Sequence, residues 1–190
     1  MQKSKASDVA LLGIFIAIMV VVQVLTQVIY AVWPAAIQPT FMQIPVIIGS
    51  ITLGWKKGAV LGFFMGFYSF LYSTVFPVPT SYLFTPFQPG GNGWSLFVAF
   101  VPRILIGILP YFVYRAIKEK HVAGGLAGLV GSATNGVLVI GSIFIFFGSV
   151  YGHNFHTMIM AVMTLNTAVE WPTAIILTAA IAPVITRLRK

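Results

Sequence analysis

Long stretches of this chain carry no charge: residues 9–55, 58–102 and 121–169 contain no Asp, Glu, Lys or Arg. A soluble domain keeps its surface solvated with about 25% charged residues. Here 7% of 190 residues are charged and 58% are hydrophobic. Eleven Lys and Arg with three Asp and Glu cannot cover a globular surface. The apolar runs are also too long for buried core helices, so the chain reads as an all-α integral membrane protein, one domain over residues 1–190.

Crossing a bilayer takes about 20 apolar residues in a helix. Six segments qualify, at approximately 8–30, 41–55, 58–76, 96–117, 122–148 and 157–186. The second is the shortest and contains Pro45, so a bent or incomplete span is expected there. Lysines precede the first, as in a signal peptide, but no small-x-small cleavage site follows closely, and the segment is read as retained.

The basic residues punctuate these runs. Lys3, Lys5, Lys56, Lys57, Lys118, Lys120, Arg187, Arg189 and Lys190 make up nine of the eleven. The connections at 31–40, 77–95 and 149–156 have none. By the positive-inside rule, six spans with both termini in the cytoplasm accommodate every cluster. The net charge of +8 is therefore a topology signal rather than a nucleic-acid-binding stripe, and no nucleic-acid partner is expected. The chain has no cysteine, which excludes a disulfide, a thiol nucleophile and an iron–sulfur site.

Against this background the few polar groups at depth stand out, because an intramembrane charge costs about 2.5–3.5 kcal/mol and needs a cavity or a partner. Arg115 is close enough to the end of its span to snorkel. Arg103 and Glu170 are not. Counting about 1.5 Å per residue from the outer ends of their spans puts Arg103 roughly 10 Å down and Glu170 roughly 20 Å down. Asn135 falls at a comparable middle depth, and Asn166 lies one turn from Glu170 on a shared face. Two readings stay open. Arg103 pairs with Glu170 or with loop carbonyls and fixes the packing, or it lines an outward-facing cavity and binds an anionic group. Its planar, permanently charged fork suits a carboxylate, with Asn135, Asn166 and Glu170 meeting hydroxyl and amide groups of the same small solute.

The segment FPVPTSYLFTPFQPGGNGWS (76–95) is too long for a simple connection and too aromatic for disorder. As a lid or site wall it offers Tyr82, Phe84, Asn92 and Trp94 to a ligand. As a belt anchor it rests Tyr82 and Trp94 at the membrane interface. Gly58, Gly62 and Gly66 recur every four residues, as do Gly124, Gly128 and Ser132, which suits close helix packing. Gly13 and Ala17 repeat that spacing in the first span. His153 and His156 lack a third ligand at suggestive spacing, so no metal is expected.

Several chemistries are absent. The chain has no G-x-x-x-x-G-K-[ST] loop, no H-E-x-x-H motif and no Ser/His/Asp set, so it is not expected to be an enzyme or to hold a cofactor. A lone intramembrane Glu170 and no visible inverted repeat weigh against a self-contained secondary carrier. That carrier and a membrane scaffold remain the alternatives to a binding protein energised by other chains.

Taken together, the chain resembles the substrate-binding S component of the energy-coupling factor vitamin transporters of bacteria. The resemblance spans essentially the whole chain and rests on its length, its six apolar segments and the small-xxx-small pair Gly13–Ala17. Locally it rests on TSYLFTPF (80–87), PRILIG (102–107), GSATNGVLVIG (131–141) and LNTAVEWPTAIIL (165–177). These pieces look most like the pantothenate-type branch, close to the folate-type branch. The resemblance implies a multi-pass protein of the bacterial cell membrane that takes a vitamin from outside into the outer halves of helices four to six. Loops 31–40 and 77–95 would cover the vitamin. It also implies a separate transmembrane coupling subunit, docked at Gly13 and Ala17 where the family commonly has A-x-x-x-A, and two separate ATPase chains. Folate, nicotinate and biotin also carry carboxylates, and a hydroxymethylpyrimidine or pyridoxine vitamer could use Glu170 and the aromatics instead.

Overall fold

The computed structural model describes residues 5–32, 39–148 and 153–188, with side chains described at 7–31, 39–148 and 166–188. Most of connection 31–40, residues 149–152 and the side chains of His153 and His156 lie outside the described residues. The chain is helical: α1 (Lys5–Val32), α2 (Gln43–Leu53), α3 (Trp55–Val75), α4 (Gly93–Ile106), α5 (Leu109–Ala116), α6 (Lys120–Phe147) and α7 (His153–Leu188). Among the described residues, five helical segments are long and apolar enough to cross a bilayer: Ser7–Ala31, Trp55–Val75, Gly93–Ala116, Lys120–Phe147 and Asn166–Leu188. Helix α2 is apolar but has 11 residues, roughly 16 Å of helix against about 30 Å of hydrocarbon.

The short α2 has a local cause at each end. Pro45 lies in its first turn, where a missing N–H breaks no helical bond, so the proline starts α2 rather than bending it. At the other end Gly54 takes φ 97°, which favours glycine, and turns the chain directly into α3. The fourth apolar run is divided into α4 and α5 at Gly107–Ile108. Pro110 has no N–H to return to Ile106, and Gly107 sits against the backbone of Gly58, so the break is both hydrogen-bonding and steric in origin.

Glycine stripes set how closely the helices approach. A Cβ at Gly58 would strike the carbonyl of Gly107, one at Gly62 the carbonyl of Arg103, and one at Gly66 the carbonyl of Ala99, 2.8 Å away. These pairs step four residues up α3 and four down α4, so two antiparallel backbones touch along three turns. Gly124 and Gly128 do the same for α6 against Thr178 and Ala174 of α7. Gly13 differs: nothing lies within 4 Å of its added Cβ, and both Gly13 and Ala17 are exposed.

Prolines inside helices leave carbonyls that need other donors. Pro183 frees the carbonyl of Ala179, which lies 3.0 Å from Nδ1 of His121. Pro102 frees that of Val98, which accepts from Nη1 of Arg103 at 2.6 Å. The end of the bundle that carries the basic clusters is tied by Lys57 to Asp8 at 2.5 Å. There too, Glu119 begins α6 by accepting from the backbone N–H groups of His121, at 3.1 Å, and Val122. Those two donors hold its carboxyl below the ordinary value.

Candidate functional site

At the opposite end, where α2 falls short, a cavity of about 220 Å³ opens between α1, α3, α4 and the 77–92 loop. Ligand pockets for drug-sized molecules run from about 300 to 1,000 Å³, so this one suits a smaller solute. Its wall includes Arg103, Phe84, Thr40, Tyr30, Gln27 and Tyr68.

Arg103 is 7% exposed. It is fixed on three sides: its backbone packs on Gly62, its Nη1 donates to Val98, and its guanidinium carbon lies 5.1 Å from the centre of the Phe84 ring. The ring face attracts the cation without neutralising it. Among the described residues the buried Nε has no hydrogen-bond partner. Among the described residues Arg103 makes no ion pair with Glu170 or any other carboxylate. A buried guanidinium held this way can donate to the oxygen of an entering anion without first breaking a salt bridge.

Phe84 reaches the cavity because its loop folds back into the bundle. Ser81, Tyr82 and Leu83 form a buried 3₁₀ turn, and the Ser81 hydroxyl accepts from Val78 N at 2.9 Å. Thr85 is buried with its hydroxyl 2.8 Å from that of Thr74, and Gln88 donates to the Thr74 carbonyl at 3.3 Å. Three other residues expected in the site build this loop. Tyr82 packs edge-on to Phe147 at 5.9 Å, and its carbonyl accepts from Ser95 Oγ at 2.7 Å. Asn92 caps α4, accepting from Trp94 N at 2.9 Å. Trp94 is 53% exposed and stacks on Phe146 at 4.1 Å. None of the three lines the cavity.

Glu170 is buried, and its carboxylate is shared. Thr40 N donates to one oxygen at 2.6 Å, and Gln43 Nε2 donates to the other at 3.2 Å. The same Nε2 lies 3.1 Å from Ser132 Oγ. Thr40 itself lines the cavity, and Tyr30 donates to the neighbouring carbonyl of Pro39 at 3.0 Å. Glu170 thus fastens the residues leading into α2 against α7 and α6. Asn135 is one turn along α6 from Ser132, and Asn166 one turn along α7 from Glu170. Among the described residues their buried side-chain oxygens have no hydrogen-bond partner, nor does Oε1 of Gln43. Neither asparagine lines the cavity.

Gln23, Gln27, Thr40, Gln43, Tyr68 and Tyr72 enter the site or its support without any motif of their own. One signal was available, the spacing of Gln23 and Gln27: two carboxamides four residues apart in a charge-free stretch of helix share one face. A second, larger hollow of about 460 Å³, between α1, α2 and α7, is lined only by apolar side chains such as Ile14, Pro45 and Ile181. It offers nothing to a charged solute.

Comparison with known proteins identifies the family. The family model for the ECF transporter substrate-specific component matches residues 7–185. The chain is 53% identical to a pantothenic acid transporter of Lactococcus lactis subsp. cremoris, over all of this chain and 98% of that protein. It is 29% identical to a pantothenate transporter of Leuconostoc mesenteroides, over 78% of this chain and 75% of that protein. Helical membrane segments, a small polar cavity at one end and a match along nearly the whole length lead to one conclusion: the chain belongs to the family of ECF transporter substrate-specific components.

Proposed function

We propose that this chain captures pantothenate at the bacterial plasma membrane, as the binding subunit of an importer whose ATP is hydrolysed on two separate partner chains. The observation that carries the substrate assignment is Arg103: a buried, fixed cation on the wall of a solute-sized cavity, with no carboxylate bonded to it among the described residues. Pantothenate has a carboxylate at one end, an amide in its middle and two hydroxyls at the other end. Arg103 takes the carboxylate, with Phe84 beneath the guanidinium. Glu170 keeps Thr40 and Gln43 in place around the cavity. Asn135 and Asn166 lie outside the cavity wall, and no contact with the solute is assigned to them. Tyr82, Asn92 and Trp94 serve the site by shaping the loop that presents Phe84. The names of the two relatives support the same substrate.

Helix α2 completes a six-helix bundle whose cavity faces outside, with both termini in the cytoplasm. The positions of the basic clusters support this orientation. Gly13 and Ala17 then form the contact with a transmembrane coupling subunit, a role supported by their exposure and by the open space around Gly13.

Uptake by proteoliposomes separates capture from self-powered transport. Liposomes with this chain alone should bind labelled pantothenate but not accumulate it. Adding the coupling subunit and ATPases should give ATP-dependent accumulation. Gly13→Leu should keep equilibrium affinity within about twofold, because nothing lies within 4 Å of the added Cβ, and should abolish coupled accumulation. Accumulation by the chain alone would mark a secondary carrier. Loss of affinity in Gly13→Leu would make that face part of the internal packing.

A further inference from the structure

The cavity has a second polar wall, remote in chemistry from Arg103. Gln23 and Gln27 lie four residues apart on α1, and Tyr68 and Tyr72 lie four apart on α3; all four line the cavity. Tyr72 donates its hydroxyl to Oε1 of Gln27 at 3.3 Å. Gln23 and Tyr68 lie one turn from that pair on the same two helices. The two tyrosine rings stack, with centres 6.0 Å apart and planes within 18°. The result is a ladder with one bonded rung, Tyr72–Gln27, and with Tyr68 and Gln23 beside it, the hydroxyls of Ser69 and Ser73 lying on the same wall.

We propose that this ladder is the subsite that reads the uncharged, hydroxyl-bearing end of the solute and so sets specificity at the pole away from the carboxylate. The inference rests on the assignment of pantothenate above. The ladder residues have no formal charge, so they offer hydrogen bonds rather than the counter-charge that Arg103 supplies. They do hold what a diol needs. A glutamine whose oxygen is engaged by tyrosine keeps both N–H donors, and a tyrosine or serine hydroxyl can give and accept at once. Carboxamides are expensive on a helix facing hydrocarbon. On α1 they stand among Val22, Val24, Leu25 and Val28, and they face the cavity instead of lipid. A site built to hydrogen-bond a hydroxyl strongly rejects an analogue that lacks it, because its own polar groups are then left unpaired.

The competing explanation is mechanical: the ladder merely holds α1 against α3. The two explanations part on ligand discrimination. Purified full-length protein would be titrated with pantothenate and with its analogue in which both hydroxyls are replaced by hydrogen, in the wild type, Gln27→Met and Tyr72→Phe. The conservative Tyr72→Phe retains the ring stack if Gln27→Met folds poorly, and melting of the ligand-free proteins is recorded alongside. The wild type should prefer pantothenate by about 100-fold or more. Each variant should narrow that preference by about tenfold or more, through weaker binding of pantothenate with little change for the dideoxy analogue. Equal losses for both ligands, or a lower melting temperature with the preference intact, would overturn the ladder and leave the pantothenate assignment standing. A wild type that binds neither compound would overturn both.

Discussion

Replacing Arg103 with glutamine is expected to weaken pantothenate binding about 30- to 5,000-fold and to leave binding of the neutral pantothenamide within about threefold. The range corresponds to the 2–5 kcal/mol lost when one partner of a buried, hydrogen-bonded charge pair is removed. Glutamine keeps a donor near the Val98 carbonyl that Pro102 leaves free, so the fold suffers less than it would from alanine. Isothermal titration of both ligands against both proteins decides the matter. Equal losses for acid and amide would show that Arg103 does not read a carboxylate and that its charge serves the packing of α4.

The second large effect concerns how Arg103 is held. Leucine at Gly62 would drive its Cβ into the carbonyl of Arg103, with Cα of Ile104 2.9 Å away. Both obstacles are backbone, so no rotamer change can relieve them and α4 must move away from α3. Overpacking of this kind costs about 1–3 kcal/mol, or roughly 3–10 °C in melting temperature for a chain of this size. Because the displaced residue is the proposed carboxylate ligand, pantothenate affinity should fall at least about tenfold as well. Gly13→Leu, on an open face, is the matched control and should move neither quantity. A Gly62→Leu protein with wild-type melting and affinity would mean that the α3–α4 contact does not position the site.

How much of this was readable beforehand depends on how local each feature is. Long charge-free runs reveal spanning helices because burial in lipid demands apolar side chains at every turn. Arg103 was conspicuous for the same reason, an unaffordable charge unless something surrounds it. The stripe at Gly58, Gly62 and Gly66 announced a close approach, but not that the partner would be the backbone of Arg103 itself. The division of the fourth run at Gly107 also depends on that distant contact with Gly58, so the local apolar pattern reads straight through it. Glu170 was visible as an isolated acid, whereas its bonds to Thr40 and Gln43 span more than a hundred residues of sequence. Gln23, Gln27, Tyr68 and Tyr72 look like ordinary interruptions of apolar helices until two faces are brought together. A cavity is made by several elements at once, and no single one of them records it.

The most direct test of the central claim is the thermal stability of the purified chain in detergent, without partner subunits, against a panel of vitamins that includes pantothenate, folate, nicotinate, biotin, pyridoxine and hydroxymethylpyrimidine. A ligand bound only by the folded state adds about 4 kcal/mol of stability at a thousandfold excess over Kd. A shift of several degrees with pantothenate and none with the others is expected. A folded protein that pantothenate does not stabilise would contradict the proposed function, whichever other vitamin moved it.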